Sequence, residues 1–484
     1  MIINDKNFLI FIFCLTLILV FAFSWQPGYL DDDSIMYARV AKEVAISNQW
    51  LCFNDPSYGG PFYYHFPLLI WVSAIAFKIF GENVISASIF SLVSCLGAVI
   101  AIFYFGKLIK NSWVGVFASA VFLLINFTLR LAVQCRMDMP VTLFIILSLY
   151  FFLKGLEIER INYLLFGLFT GIAIMTKDVN GLAPLPIAFI YLVITKKFKE
   201  IINPYFLLAI VLAFLPVITW ILLETHFYGY SNTIFNKWLH WNFLHLLSSK
   251  HFKAPFYYYP REIIKRFPYF APFFVYGAYL AIRKVFKKES NNSLLVVVWF
   301  IFIPLAFSFG RQKIHYFIYS MYPAAALLSG IAIDNLCNEE KKEKIFKILI
   351  ILLVLFGLFR LCFPVRYGKR FFTDIVAIAP IVDSILAKAE DFEFITYNQD
   401  DSALVFYSKQ LENTQRIKDF DSLKFKLQQE SQNKKRFCFL NSSDFENLEA
   451  AIKVRWHVLL KFDDKILIAD KLQENLPIEI SKKQ

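Results

Sequence analysis

Three polar groups interrupt a largely apolar chain. The first is Asp31-Asp32-Asp33, followed by Ser34 and a stretch that includes Tyr37, Ala38, Arg39, Lys42 and Glu43. Acidic residues and a serine here open an amphipathic helix running to about Ser47, since carboxylates are favoured at a helix N-terminus. Three in a row exceed what a cap needs and repel one another, so at least one is expected to meet a cation. The second group is Gln134-Cys-Arg136-Met-Asp138-Met-Pro140. It reads either as a helix start with proline in its first turn or as a site built from ionisable groups at a span boundary. The third is Arg311-Gln-Lys313-Ile-His-Tyr316. Here the choice is between interfacial anchoring by snorkelling cations and an aromatic ring, and a grip on phosphate with Arg bidentate and Lys as a point charge. Lys177, Lys253 and Arg261 pose the same choice.

The elements that must position these groups are membrane helices. The chain has 484 residues, 58% of them hydrophobic, and a mean hydropathy of +0.52. Its 18% charged content falls short of the roughly one quarter usual in soluble proteins. Apolar runs near the length of a span occur around 8–25, 84–106, 113–129, 139–156, 162–176, 181–195, 204–223, 267–283, 293–309, 315–334 and 345–363. About eleven transmembrane helices are therefore expected. The first run is too long for a signal-peptide core and no small-residue cleavage site follows it, so it reads as a retained span. The apolar segment from Pro67 to Phe80 is short for a crossing and fits a helix lying on the membrane surface.

Net charge is +12, but the basic residues sit in short clusters between apolar runs, which is a signature of membrane orientation and not of nucleic-acid binding. With residues 67–80 on the surface, the clusters at 107–110, 154–160, 196–199, 283–288 and 341–347 all fall on the cytoplasmic side. The outward side then receives the 26–66 loop, Arg136, Lys177, the 224–266 loop, Arg311 to Lys313 and everything after Phe363. All seven histidines lie there too. Six basic residues in the 224–266 loop run against the charge rule, so either that loop is misplaced or its cations serve an anionic ligand. The seven cysteines are scattered, with neither a disulfide framework nor zinc spacing. From about 364 to 484 the composition becomes that of a soluble domain. Strand-like runs at 392–397, 404–407, 436–440 and 465–469 alternate with charged helical stretches, the pattern of a small α/β domain.

Taken in order, several short motifs resemble the polytopic GT-C glycosyltransferase superfamily of protein O-mannosyltransferases and lipid A aminoarabinose transferases. They are Asp33 four residues before Tyr37-Ala38, then Phe66-Pro-Leu-Leu-Ile-Trp running on to Gly81, and Arg136-Met-Asp138-Met-Pro. Met175-Thr-Lys-Asp178, Ala254-Pro-Phe-Tyr-Tyr-Tyr-Pro260, Lys313-Ile-His-Tyr316 and Ser402-Ala-Leu-Val-Phe-Tyr407 follow. The resemblance implies a transmembrane domain over 1–363, with outward loops at 26–66 and 224–266, and an extracytoplasmic domain over 364–484. It also implies inverting transfer of a sugar from a polyprenyl (undecaprenyl) phosphate to lipid A, another glycolipid or a protein, at the bacterial inner membrane.

In that reading Asp33 is the catalytic counterpart, with Asp31 and Asp32 as alternatives and Asp138 as a second carboxylate. His65, Arg136, Lys177, Arg311, Lys313 and Tyr316 would hold the donor phosphate, with Arg261 as a further candidate. The chain departs from the pattern at Tyr64-His65-Phe-Pro-Leu68, where the bacterial family has an acidic residue and then Lys-Pro-Pro-Leu. His65 thus occupies the place of a phosphate-contacting lysine, and Tyr64 that of a glutamate tied to metal in some relatives. No cofactor is required by a leaving group as good as polyprenyl phosphate, and no divalent metal is expected. Besides the donor and acceptor, membrane lipids are the expected partners, and nucleic acid is not. The competing class is a transporter or flippase of lipid-linked anions, which would place ionisable groups near the bilayer midplane in paired halves.

Overall fold

The computed structural model describes residues 5–24, 30–55, 60–62, 64–229, 233, 235–240, 254–287, 292–310, 313–363, 373–389, 391–397, 402–411, 414–429, 434–462, 464–470 and 480–481. The chain divides into two compact units. One comprises Met1–Gln26, Val44–Phe53 and Pro61–Arg366, the other Pro27–Glu43, Asn54–Gly60 and Tyr367–Gln484.

The first unit is a helical bundle. Its helices include α1 (Asp5–Ser24), α3 (Leu68–Phe80), α4 (Val84–Ile109), α5 (Ser112–Leu124), α6 (Asn126–Ala132), α7 (Asp138–Glu157), α8 (Asn162–Gly181), α9 (Pro184–Ile194) and α10 (Pro204–Tyr228); α2 (Asp32–Ser47) begins in the other unit. Further helices cover Tyr258–Arg266, Ala271–Phe286, Ser293–Ser308, Tyr322–Leu336 and Glu339–Cys362. Leu207, Leu208, Val211, Leu215, Ile218 and Leu222 on α10 are exposed, as are Ile348, Ile351, Leu352, Leu355 and Leu358 on the Glu339–Cys362 helix. Apolar faces this long are stable against lipid tails and not against water. The chain is a multi-pass membrane protein.

Among the described residues six helices are long and apolar enough to cross a bilayer, or seven when α8 and α9 count as one bent span. This falls short of the eleven expected from hydropathy, for a physical reason. A hydropathy window registers apolar residues whether or not the helix through them is continuous. The 162–176 and 181–195 runs are two limbs bent by 85°. The 113–129 run breaks at Ile125 between α5 and α6. At about 1.5 Å per residue, the 13 residues of α5 and the 16 of Ser293–Ser308 span about 20 and 24 Å, less than a hydrocarbon core of about 30 Å. The segment expected on the membrane surface is α3, likewise 13 residues. Close packing depends locally on glycine. A Cβ at Gly167 in α8 would fall 2.2 Å from the Ala209 carbonyl oxygen in α10, so only glycine lets these helices approach so closely.

The second unit contains a six-stranded sheet in the order β4-β3-β5-β7-β6-β8, with β3 at Phe392–Tyr397, β4 at Gln415–Ile417, β5 at Lys435–Asn441, β6 at Trp456–Phe462, β7 at Lys465–Asp470 and β8 at Ile480–Ser481. A separate two-stranded ribbon pairs β1 (Asn54–Asp55) with β2 (Gly60–Pro61). β3 runs parallel to β4 and β5, whereas β7 is antiparallel to β5 and β6. Ile395, Cys438, Leu440, Ile466 and Ile468 meet Leu423, Leu427, Ile452 and Trp456 in its core. The run at 404–407 lies in a helix, Ser402–Tyr407, and not in a strand. Four apolar residues cannot distinguish the two states by periodicity. Partial burial favours the protonated Glu393 carboxyl, but Arg436 and Lys426, each at 2.7 Å, outweigh it and hold the group below the usual carboxylate range.

Candidate functional site: a buried charge cluster at a helix break

The segment leading into α7 is fixed by two serines of α4. Ser88 Oγ donates to the Val133 carbonyl at 2.8 Å and Ser91 Oγ to that of Arg136 at 2.9 Å. This sets Asp138 as the first residue of α7, where the helix dipole favours a carboxylate. Asp138 Oδ1 accepts from Lys177 Nζ at 2.5 Å, and Oδ2 from Arg136 Nε at 3.1 Å. All three side chains are less than one tenth exposed. Buried charges of this kind persist only when paired, and here one carboxylate serves two cations. The Arg136 guanidinium also lies 4.0 Å from the centre of the Tyr316 ring, a cation–π contact that fixes its plane.

Lys177 reaches Asp138 because α8 breaks beside it. Lys177 (φ −147°, ψ 60°) and Asp178 (φ 25°, ψ −109°) leave helical geometry. A positive φ at an aspartate is strained and needs support from its surroundings. That support is visible: Asp178 Oδ1 accepts from its neighbour's Val179 N–H at 2.6 Å, while Oδ2 meets His65 Nδ1 at 2.9 Å and Trp238 Nε1 at 3.2 Å. Phe66 packs against both Trp238 and Trp220, with ring centres 5.0 and 5.3 Å away. Gly181 makes the turn possible, since a Cβ there would come within 2.2 Å of the Ala173 backbone. Pro184 then starts α9.

The structure therefore brings Arg136, Asp138, Lys177 and Tyr316 into one cluster, with His65 joined to it through Asp178, the neighbour of Lys177. Lys313 donates to the carbonyls of Ala254 at 3.1 Å and Gly310 at 2.9 Å. Arg261 is exposed on the Tyr258–Arg266 helix and forms no ion pair among the described residues. Arg311 and Lys253 lie outside the described residues. In the other unit the three aspartates separate by role. Asp31 is the N-cap of α2: its carbonyl accepts from Ile35 N–H at 3.0 Å, and its Oδ1 accepts from the Ser34 N–H at 3.1 Å and the Ser34 hydroxyl at 2.6 Å. Asp31 is buried, whereas Asp32 and Asp33, in the first turn, are exposed. Sequence reasoning did not assign Asp178 or Trp238 to the site. A Lys-Asp pair interrupting an apolar run just ahead of Gly181 and Pro184 was the available signal for Asp178. Nothing local marks Trp238.

Residues 64–222, which carry most of this cluster, match the family model described as dolichyl-phosphate-mannose-protein mannosyltransferase. The fold matches the crystal structure of ArnT from Cupriavidus metallidurans bound to undecaprenyl phosphate, with a TM-score of 0.76 at 16% identity over 96% of this chain and 98% of that one. The chain thus shares the fold of that transferase. A second likeness of fold is to the Archaeoglobus fulgidus oligosaccharyltransferase, at a TM-score of 0.52 and 11% identity over 90% of this chain and 68% of that one. Among sequence relatives is the undecaprenyl phosphate-alpha-4-amino-4-deoxy-L-arabinose arabinosyl transferase of Aeromonas hydrophila, 28% identical over 70% of this chain and 61% of that protein. An uncharacterized protein of Aquifex aeolicus is 24% identical over 67% of this chain and 63% of its own length. The chain thus spans somewhat under two thirds of the length of these two curated relatives.

Proposed function

We propose that this GT-C protein transfers a sugar from a polyprenyl phosphate, of the undecaprenyl type, to an acceptor outside the cytoplasm, lipid A or another envelope glycolipid or protein. The observation that carries the reading is the Arg136–Asp138–Lys177 cluster. Two buried cations share one carboxylate, so the site holds positive charge in place without substrate and turns it toward a phosphate when one arrives. Asp138 is then a positioning residue, because both of its oxygens are engaged by cations. The acceptor oxygen attacks the anomeric carbon from the face opposite the phosphate. The bond from that carbon to the phosphate oxygen breaks, and its electron pair leaves with the polyprenyl phosphate. Asp33 takes the acceptor's proton. Arg136 and Lys177 stabilise the departing dianion, so the reaction needs no cofactor or divalent metal for that step. His65, held by Asp178, lines the donor side in place of a lysine.

This reading places the protein in the bacterial inner membrane with the cluster and the C-terminal unit facing outward. A reporter fused after Lys344 would then score cytoplasmic and one fused at Gln484 extracytoplasmic; both on the same side would overturn the orientation. The catalytic assignment is tested by incubating purified protein with undecaprenyl phosphate-linked aminoarabinose and lipid A. Release of undecaprenyl phosphate together with glycosylated lipid A supports transfer. Movement of intact donor across a vesicle bilayer without sugar release supports a transporter instead.

A further inference from the structure

A second charged site lies at the far end of the bundle. Ser91 in α4 touches the Arg136 segment, while Lys110, just past the end of α4, lines a cavity of about 170 Å³. Nineteen residues of helix separate these two points by about 28 Å. The cavity is lined by Lys110, Arg283, Lys284 and Lys287, with Ser293 and Asn335 among its polar groups and Ala281 and Ile331 among its apolar ones. Lys110 pairs with Asp334 at 2.6 Å, and that carboxylate is shared with Lys342 at 2.8 Å. Arg283, Lys284 and Lys287 form no ion pair among the described residues. The cavity thus carries a surplus of positive charge.

The end of the Ala271–Phe286 helix accounts for part of this, because cations are favoured near helix C-termini. It does not account for what lies beside them. Ser293 opens the 16-residue Ser293–Ser308 helix, whose N-cap Asn292 makes no side-chain capping bond. Its side chain lines the cavity, is only 6% exposed, and its hydroxyl makes no hydrogen bond among the described residues. A helix N-terminus, the hydroxyl of a nearly buried serine and three cations outside any ion pair thus line one cavity, a combination suited to an anion. On the neighbouring helix Tyr279, Ile282 and Phe286 present an exposed apolar face that would take acyl chains.

We propose that this cavity binds the phosphate of an anionic phospholipid headgroup, in the leaflet opposite the buried charge cluster. The proposal is independent of the transferase reading. The test is native mass spectrometry of the full-length protein with phosphatidylglycerol, phosphatidylcholine and inorganic phosphate as separate probes. Phosphatidylglycerol should be retained about tenfold better than phosphatidylcholine. The triple variant Arg283→Gln/Lys284→Gln/Lys287→Gln should lose that preference, and Ser293→Ala should weaken it with the charges intact. Lys344→Gln, which removes an exposed cation paired with Glu340 at 2.6 Å, should leave it unchanged. The triple variant should elute in size-exclusion chromatography and melt in detergent as wild type does, which reports an intact fold. Retention of inorganic phosphate without preference between the two lipids would overturn the headgroup assignment. Equal lipid retention by wild type and both site variants would overturn the site itself.

Discussion

Asp33 and Asp138 both stand in the first turn of a helix next to other polar residues, yet their surroundings differ completely. Asp138 is 3% exposed, and its two oxygens are occupied by Lys177 and Arg136. Asp33 is exposed beside a buried neighbour, Asp31, that has taken the capping role. One carboxylate is committed to holding cations and the other lies at the surface. The difference teaches that the number of acidic residues in a motif says little about which one moves a proton; burial and partners divide the work.

Substitutions can break this division. Asp33→Asn keeps shape and removes the base, so kcat should fall by about 10²–10⁴ with donor binding retained, as measured by turnover beside undecaprenyl phosphate affinity. An unchanged kcat would move the chemistry to Asp31, Asp32 or Asp138. Lys177→Ala should cost about 10²–10³ in kcat/KM and weaken product binding as well. Combined with Asp138→Asn, its effect should be far from additive, because the two residues act as one unit; additive losses would separate them. Asp138→Asn alone leaves two buried cations without their carboxylate and should destabilise the bundle by about 3–5 kcal/mol, read as a lowered melting temperature in detergent. His65→Lys retains a donor toward Asp178, so activity within about tenfold of wild type is expected, and a complete loss of turnover would remove His65 from the donor side. Asp31→Ser replaces one good cap by another and should leave turnover in place, whereas loss of turnover in this variant would make Asp31 the catalytic group.

Much of this was legible in the sequence. The apolar runs and basic clusters announced a multi-pass membrane protein, and the ordered motifs pointed to the GT-C superfamily. Arg136, Asp138, Lys177 and Tyr316 stand out in the sequence as polar groups at the ends of apolar runs. Other features depend on three-dimensional placement that no window records. The α8 break aims Lys177 and Asp178 in different directions, and its cause is distributed over Gly181, Pro184 and the partners of Asp178. Trp238 joins from a helical segment, residues 235–240, that lies 60 residues away in sequence. Asp31 was indistinguishable from Asp33 because both lie where a helix start favours acid. Among the described residues, six of the eleven apolar runs lie in single helices long and apolar enough to cross a bilayer, and the others lie in shorter or bent ones.

The central claim is that the chain consumes a lipid-linked sugar using Asp33. The most direct measurement is mass spectrometry of polyprenyl-phosphate sugars and envelope glycolipids in cells lacking the gene, complemented with wild type or Asp33→Asn. The account predicts that one polyprenyl-phosphate sugar accumulates in the deletion and in the Asp33→Asn strain, and that wild type restores a glycolipid or glycoprotein heavier by that sugar. Identical lipid-linked sugar pools and acceptor masses in all three strains would contradict it.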